Sequence, residues 1–550
     1  MSLHSQVGYL VPEETARVAR AAFPKGNNLY MRMRDHLGSI FDDEQFAALF
    51  SHTGQPALSP HRLALVTIMQ FAEGLSDPQA ADAVRTRIDW KYALSLELTD
   101  PGFDRSVLSE FRSRLLAGGV EALLFETVLT LFRDLGLLKR RGRQRTDSTH
   151  VLAAVQHLSR LELVGETMRA ALNSLAVVAP TWLQALVPVV WFERYSERCD
   201  NYRLPDAEPA RHALGMAIGA DGFLLLAAVD APEAPACLAT VPAVETLRMV
   251  WSQQYDGPDR LRWQVRETGV PTAEVICSPY DTEARYGTKR DTTWTGYKVH
   301  LTETCDPDAP RVITDVTTTS ATTLDMATTP VIQQALADHD RLPSVQLMDA
   351  GYVDAGHLVT SQTKHKVTLC GPAMRDTSWQ ARAGAGYGAS DFVVDWTAEQ
   401  ARCPQGQVSH GWKTAVDRNG TTVTKVTFRA TTCGGCPVRE QCTRAVTAGR
   451  ELTLRTEAEH TALQAARGEQ ATAAFWKAYA MRAGIEGSLS QGIRRCDLRQ
   501  ARYIGEAKTR LQHLLIATAL NVIRVVAWFL ETPLARTRTS RFARLAPSTA

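Results

Sequence analysis

The chain has 550 residues, of which 45% are hydrophobic and 22% charged, with a formal net charge of +2. This composition, with a mean hydropathy of -0.18, is typical of a soluble globular protein and excludes a disordered or membrane-embedded chain. The near-neutral balance leaves any polyanion-binding role to local clusters of charge. No apolar signal segment stands near the N-terminus, and ten cysteines in so long a chain do not make a disulfide scaffold. We therefore expect a cytoplasmic protein of roughly three or four structural units.

The first 135 residues are predicted to be helical. An apolar helical stretch at residues 63–71 stops at Gly74, Ser76 begins a second helix, and a third starts near Ser106. Short helices joined by tight turns are compatible with a helix-turn-helix DNA-binding domain, and equally with a helical bundle that has a solvated basic face. The basic residues concerned are Arg85, Arg87, Lys91, Arg112 and Arg114. We assign residues 1–135 to a helical N-terminal domain that binds DNA.

From residue 136 onwards, strands alternate with helices. A basic run, residues 139–145, leads into a strand that contains Asp147, and further strands are predicted at 296–302, 311–316, 345–349 and 367–370. This order predicts a mixed α/β domain, residues 136–530, interrupted by a helical or mixed insertion at about 157–275 and a cysteine-bearing insertion at 375–455. The apolar stretch 514–530 is predicted to be a buried core helix. Residues 531–550 are predicted to be a disordered basic tail with Arg536, Arg538, Arg541 and Arg544.

Carboxylates suggest where chemistry could take place. Asp349 follows a short apolar strand, Asp147 lies in another strand, and Glu486 or Glu506 is available in the C-terminal helices among many arginines. Three converging carboxylates would suit Mg²⁺ or Mn²⁺, and two such ions about 3.5–4 Å apart can clamp a phosphodiester. The simpler alternative is that an Asp at a strand end is a turn or cap residue, and that a Glu among arginines is a solvated ion pair. His150 is in the same way more often a strand-packing histidine than a site residue.

The motifs TDSTHV, GYKVH, LMDAGYVD and YAMRAGIE follow one another in this chain. In that order they resemble the bacterial insertion-sequence transposases of the DDE class, whose catalytic domain is RNase H-like. The spacing of Tyr479, Arg482 and Glu486 matches that group and favours Glu486 over Glu506. The basic residue expected seven positions after the glutamate is displaced, because residue 493 is Ile and is followed by Arg494 and Arg495.

The resemblance implies a fold, a site and an activity. The fold is an RNase H-like mixed-sheet core with a helical N-terminal domain and two insertions. Asp147, Asp349 and Glu486 would be the catalytic residues and would hold Mg²⁺ or Mn²⁺. Tyr479 and Arg482 would contact phosphate near the scissile bond. The other residues expected to contact DNA are Arg494 and Arg495, which follow the displaced position, and Arg143 and Arg145 of the basic run.

On this basis the protein is expected to bind the ends of its insertion sequence, cleave DNA and join the 3′-hydroxyl ends to target DNA. Its expected partners are double-stranded DNA and a second copy of the chain in the synaptic complex, without a membrane, in the nucleoid-associated cytoplasm. Two alternatives stay open: an RNase H-like nuclease without strand transfer, and a DNA-binding derivative that has lost catalysis. The sequence has no Walker A pattern, so an ATP-driven role has no support.

Four of the ten cysteines fall within residues 403–442. Cys433 and Cys436 have the Cys-x₂-Cys spacing of a zinc knuckle, and Cys403 and Cys442 could complete a tetrahedral thiolate site. The five-residue gap between Cys436 and Cys442 is not a standard spacing. The alternatives to a structural Zn²⁺ are free thiols or an oxidised pair.

Overall fold

The sheet at the centre of the protein is mixed, and the helices around it include the predicted helical N-terminal region. The computed structural model describes residues 2–3, 9–155, 158–199, 204–257, 262–263, 271, 273–418 and 420–533. The architecture is mixed α/β, as predicted. Most of the predicted basic tail, residues 534–550, lies outside the described residues.

The described part of the N-terminal region contains seven short helices and a 3₁₀ turn at Glu44–Leu49. The predicted helix ends are confirmed, because Gly74 ends the third helix in a left-handed conformation with φ 71° and Ser76 caps the fourth through a capping box with Gln79. The helices are α1 (Glu13–Ala22), α2 (Leu29–Leu37), α3 (Pro60–Glu73), α4 (Asp77–Thr86), α5 (Ile88–Ala93), α6 (Ser106–Ala117) and α7 (Leu123–Asp134).

The basic residues of these helices have partners within the chain. Arg85, Arg87 and Arg112 pair with carboxylates, Lys91 donates to backbone carbonyls, and Arg114 lies over the ring of Phe50. These contacts favour the bundle with an ordinary basic face, and the helix-turn-helix interpretation stays a prediction.

Among the described residues, the central sheet has six strands, in the order β2-β3-β1-β5-β6 with β4 paired to β3. The long β1 and β3 are antiparallel, whereas the short β5 and β6 run parallel to β1. The strands are β1 (Arg143–Leu152), β2 (Arg285–Lys289), β3 (Thr292–Thr304), β4 (Ile313–Ser320), β5 (Val345–Leu347) and β6 (Thr368–Cys370). The helices α13 (Asp325–Asp338) and α14 (Ala355–His365) connect β4, β5 and β6.

Gly296 lies where β3 leaves its pairing with β1. Its φ of 150° is unfavourable for any residue with a Cβ, and a Cβ at this position would collide with the backbone of Val151 and Ala153. Glycine is therefore required for the close approach of these two strands.

Between β1 and β2 the chain forms a helical unit with its own apolar core, which includes Met168, Leu225 and Trp251. The helices of this unit lie within the segment predicted as the first insertion, about residues 157–275. Its helices are α8 (Arg160–Val178), α9 (Pro180–Leu186), α10 (Val189–Tyr195), α11 (Glu208–Val229) and α12 (Pro242–Gln254).

The second insertion, predicted at 375–455, contains small β-sheets with a core around Phe428. Its elements are α15 (Trp379–Ala383), β7 (Val393–Asp395), β8 (Gln400–Arg402), β9 (Gly411–Val416), β10 (Thr422–Thr427), α16 (Ala430–Gly434), α17 (Arg439–Cys442) and β11 (Glu451–Leu454). The C-terminal helices follow as α18 (Glu457–Gln470), α19 (Ala473–Tyr479), α20 (Gly484–Cys496) and α21 (Glu506–Phe529).

Helix α21 joins the N-terminal helices to the sheet. It packs against α3 and α7 on one side and against β4 on the other, and its Asn521 exchanges hydrogen bonds with the backbone of Ile313 at 2.7 and 2.8 Å. By length and composition, both α11 and α21 could cross a membrane, but 83% of the apolar window of α21 is buried in the protein. This is the buried core helix predicted from the sequence.

Candidate active site

Two parallel strands bring Asp147 and Asp349 side by side. In the register of β1 and β5, Arg145 is opposite Leu347, the last residue of β5. Asp147 lies two residues further along β1 and Asp349 two residues past the end of β5, and both carboxylates reach one guanidinium nitrogen of Arg482. Each aspartate is held by a nearby backbone N–H: Ser148 donates to Oδ1 of Asp147 at 2.8 Å, and Gly351 donates to Oδ1 of Asp349 at 2.7 Å. The second oxygen of each carboxylate is directed elsewhere.

Those second oxygens meet the guanidinium of Arg482. Its Nη2 lies 2.6 Å from Oδ2 of Asp147 and 3.8 Å from Oδ2 of Asp349, and its Nη1 lies 3.4 Å from Oε1 of Glu486. Asp147 and Arg482 are largely buried, whereas the Glu486 side chain is 66% exposed. The three predicted catalytic carboxylates therefore surround one cation.

A buried ion network positions Arg482. It projects from a 3₁₀ turn, Ala480–Ala483, that precedes α20, and Arg145 holds this turn by donating to the carbonyl oxygen of Met481 at 2.6 Å. Arg145 in turn pairs with the fully buried Glu303 at 2.6 Å. Glu303 also accepts from Ser488 of α20 and from Arg524 of α21. One carboxylate thus fixes β1, β3 and both helices.

Burial controls the electrostatics of the site. It raises the pKa of the Asp147 carboxyl above its ordinary value, against the lowering effect of the Arg482 charge. Burial also raises the pKa of the Tyr479 hydroxyl, and the nearby Asp349 adds to that rise. A cation close to Asp147 therefore stabilises a carboxylate that is costly to ionise in this position.

Two of the three carboxylates, those of Asp147 and Glu486, line a cavity of about 470 Å³ together with Arg494 and Arg499 among others. A neighbouring cavity of about 190 Å³ shares Arg499 and adds Lys289 and Lys298. Acidic groups at the centre with four cations around them are the arrangement expected for a reaction on a polyanion.

Two family models match segments of this chain. Residues 402–526 match the family model described as "Transposase DDE domain", and residues 17–114 match the model described as "Transposase domain (DUF772)". The first match contains Arg482 and Glu486, and the second covers most of the N-terminal helices. A search of curated proteins finds no match.

The chain is an insertion-sequence transposase of the DDE class. The resemblance seen in the short motifs is thereby confirmed, and the protein acts in DNA transposition. Asp147 and Asp349 lie before residue 402, outside the segment that matches the DDE model. Their place beside Arg482 is therefore known from the structure and not from the match.

Three of the predicted DNA-binding residues of the transposase lie at or beside the carboxylates. Arg482 contacts all three acids, and Arg494 lines the larger cavity. The ring of Tyr479 stacks on Phe475 with a centroid distance of 5.7 Å, beside the half-exposed Trp476.

The other three have different surroundings. Arg143 is exposed at the start of β1, and its guanidinium lies 3.9 Å from the sulfur of Met481. Arg145 is buried and paired with Glu303, so a contact with DNA would require that network to open. Arg495 donates to the carbonyl oxygen of Ala72 at 2.9 Å and ties α20 to the N-terminal helices.

The runner-up acid and the histidine lie apart from the carboxylate cluster. Glu506 begins α21, and its backbone N–H donates to Glu283 at 2.7 Å. Within the described part of the chain, no ion pair joins Glu506 to Arg482. The ring of His150 lies 5.4 Å from that of Trp294, in the smaller cavity.

The sequence analysis did not identify a fourth acid beside the site. Asp325, the first residue of α13, pairs with Lys289 at 3.2 Å and with Lys298 at 3.3 Å, and Ser148 donates to it at 3.4 Å. Burial would raise the pKa of its carboxyl, but the two lysines outweigh burial and lower it. One indication of this acid is present in the sequence, because its partner Lys298 belongs to the GYKVH motif.

All four cysteines of the second insertion line one cavity of about 30 Å³. The backbone N–H of Arg450 approaches the sulfur of Cys433 at 3.5 Å, and burial raises the pKa of the Cys442 thiol, with the three other thiols adding to the rise. The thiols of Cys403, Cys433, Cys436 and Cys442 are therefore neighbours in space and are free rather than paired in disulfides.

The three carboxylates and the four thiols are chemically suitable metal ligands, but in the described part of the chain neither group forms a complete coordination shell. Carboxylate oxygens are the ligands that Mg²⁺ and Mn²⁺ prefer, and thiolates suit Zn²⁺. Among the residues that the structure describes, no three His, Cys, Asp or Glu side chains stand in metal-holding geometry. At the predicted catalytic carboxylates, the guanidinium of Arg482 lies between the acids.

Proposed function

We propose that this transposase binds the ends of its insertion sequence, cleaves DNA there with the help of two divalent ions, and joins the freed 3′-hydroxyls to target DNA. The observation that carries the proposal is that Asp147, Asp349 and Glu486, which are far apart in the sequence, all contact the one guanidinium of Arg482.

In this proposal Asp147 and Asp349 hold Mg²⁺ or Mn²⁺ from the strands, and Glu486 completes the set from α20. When bound, the ions supply Lewis acidity and neutralise charge on the phosphodiester that reacts. Lys289, Lys298, Arg494 and Arg499 line the two cavities and bind the phosphates on either side of the scissile bond.

Two chemical steps follow at the same site. Water attacks the phosphodiester at the transposon end, which leaves a 5′-phosphate on the flanking DNA and releases a 3′-hydroxyl on the transposon. This hydroxyl then attacks a phosphodiester of the target, forms a new bond to its phosphorus and displaces the 3′-hydroxyl of the target strand. The proposed partners are accordingly two DNA ends, a target duplex and a second copy of the chain in the synaptic complex. The protein would act in the nucleoid-associated cytoplasm.

We expect Glu486→Gln to lower strand cleavage at least about a hundredfold, because it removes a metal-ligand charge, whereas Glu506→Gln leaves cleavage near the wild-type rate. The substrate is a donor plasmid that carries the gene between its native flanking sequences, incubated with Mg²⁺ and a target plasmid. Cleavage and joining are measured as separate products on gels. Equal activity of the two variants would overturn the assignment of Glu486.

The same assay separates the alternative functions. Cleaved donor without joined product would favour a nuclease that lacks strand transfer. Binding of the flanking DNA without cleavage by the wild type would favour a derivative that has lost catalysis.

We also propose a structural Zn²⁺ at Cys403, Cys433, Cys436 and Cys442, because all four thiols line one small cavity. One zinc per chain is expected by elemental analysis of the purified transposase, with loss of the metal in Cys436→Ser. Cys237→Ser is the matched control, because Cys237 is an exposed thiol of the first insertion. Wild-type protein free of zinc after purification in zinc-supplemented medium would contradict this assignment.

A further inference from the structure

We infer that Arg482 is an exchangeable internal counter-ion, which occupies the catalytic carboxylates until DNA draws it away and divalent metal takes its place. The inference rests on the proposed function and adds a regulatory property to the same site: metal loading is coupled to DNA binding. Arg482 would then have two alternative partners, the carboxylates in the free protein and a phosphate in the complex.

The first argument is competition for the same oxygens. Arg482 donates to Oδ2 of Asp147 at 2.6 Å, and the same nitrogen lies 3.8 Å from Oδ2 of Asp349. The other oxygen of each aspartate already accepts a backbone N–H. The Oδ2 atoms that face Arg482 are thus the carboxylate oxygens without a backbone donor, and a metal ion that bridges the two aspartates through them meets the positive guanidinium, which repels it.

The second argument is that Arg482 is incompletely satisfied where it lies. Its Nε is buried and has no hydrogen-bond partner among the described residues, and only its contact with Asp147 is short. Glu486 lies 3.4 Å away on a side chain that is 66% exposed. An arginine in such a position loses little when it exchanges one set of anionic partners for another.

The third argument concerns the destination. Arg482 lies on a short 3₁₀ turn, and the cavity of about 470 Å³ opens beside its partners Asp147 and Glu486. A DNA phosphate in that cavity offers a guanidinium paired oxygens in a matching geometry. Because coupling between two ligands is reciprocal, DNA that removes Arg482 from the carboxylates must strengthen metal binding, and metal must strengthen DNA binding by the same factor.

Arg145 illustrates the difference between a fixed arginine and an exchangeable one. Its side chain is only 4% exposed, and it pairs with Glu303, which is completely buried. Arg482 is 15% exposed and faces carboxylates at the edge of an open cavity. The structure therefore assigns a positioning role to Arg145 and a mobile one to Arg482.

The test measures Mn²⁺ binding to the full chain by electron paramagnetic resonance, without catalysis and without DNA. We expect Arg482→Gln to bind Mn²⁺ about tenfold more tightly than the wild type or better, because a repelling charge is removed from the site. Arg482→Lys should lie between them, since it keeps the charge but cannot reach all three acids. Arg17→Gln is the charge-matched control, because Arg17 is an exposed residue of α1 that pairs only with Glu14 in the described contacts, and its Mn²⁺ affinity should be unchanged.

A second arm adds a short DNA duplex of arbitrary sequence. DNA should raise the Mn²⁺ affinity of the wild type and Arg17→Gln, and should change that of Arg482→Gln much less. Mn²⁺ binding by Arg482→Gln that is equal to or weaker than the wild type would overturn the inference, as would an equal effect of DNA on both proteins.

The metal-site assignment has its own control. Asp147→Asn should show no Mn²⁺ binding at this site, with or without DNA. If Asp147→Asn binds Mn²⁺ normally, the proposed catalytic site fails, and the inference fails with it. If only Asp147→Asn behaves as expected while Arg482→Gln equals the wild type, the proposed site stands and the counter-ion role is excluded.

Discussion

Glu303→Gln is expected to lower the free energy of unfolding by roughly 3–5 kcal/mol, because it removes the only acid that Arg145 and Arg524 are seen to share in the described structure. Glu303 has no exposed surface, and its two oxygens accept from Arg145, Arg524 and Ser488. Without its negative charge, two buried guanidiniums stand close together without compensation. Urea denaturation followed by tryptophan fluorescence is the measurement.

A matched control comes from the surface. Glu451 pairs with Lys425 at 2.7 Å, but both side chains are substantially exposed, and we expect Glu451→Gln to change the unfolding free energy by less than about 1 kcal/mol. If the two variants unfold at the same urea concentration, the network around Glu303 contributes no more than a surface ion pair. The Glu303 variant should also lose cleavage activity, because Ser488 and Arg145 no longer fix α20 and the turn that carries Arg482.

The sequence predicted the parts of the site that depend on local pattern. Asp349 follows an apolar strand and Asp147 lies within another, and parallel neighbours in one sheet place such residues together. Glu486 was predicted from its spacing to Tyr479 and Arg482, which is shared with known transposases. This spacing spans only the 3₁₀ turn Ala480–Ala483 and the start of α20. These elements are set by residues close to one another in the chain.

The rest of the site depends on tertiary packing that no local pattern contains. Glu303 continues the alternating positions of β3 after Leu301, and like Leu301 it is buried. The sequence does not indicate the partners that make a buried acid possible there, because they come from β1, α20 and α21. Asp325 reads from the sequence as an ordinary acid in the first turn of a helix. Arg145 was predicted to contact DNA because it belongs to a basic run, yet the fold surrounds it with other residues.

The domain boundary predicted at residue 135 also came from local pattern. The helical stretch gives way there to a basic run and a strand, which favours two separate units. In the structure α21, from the far end of the chain, packs against α3 and α7 as well as β4, and one apolar core includes residues such as Leu65, Val128 and Leu515. Contacts between residues that are hundreds of positions apart thus join the N-terminal helices to the sheet that carries the acids.

Asp349→Asn should lower strand cleavage by roughly a thousandfold or more, while the free energy of unfolding changes by less than about 0.5 kcal/mol. The substitution keeps the shape of the side chain and its acceptor for the N–H of Gly351, but it removes the charge that metal binding requires. The carboxylate is partly exposed and lies 3.8 Å from Arg482, so little stability depends on it. Cleavage of the donor plasmid and urea denaturation are measured on the same preparation.

Asp354→Asn tests whether this effect belongs to the site, because it makes the same chemical change five residues further along the same stretch. Asp354 caps α14 by accepting from the N–H of Gly356 at 2.8 Å, and it lies 3.4 Å from Arg455. Asparagine is also a good N-cap, so both stability and cleavage should stay near wild type. Equal losses of cleavage in the two variants would mean that the loop needs its charge for folding or for DNA binding, and that Asp349 has no special place in the chemistry. Loss of cleavage in Asp349→Asn alone would show that the Asp349 carboxylate acts in catalysis, whereas the Asp354 carboxylate, five residues away, is structural.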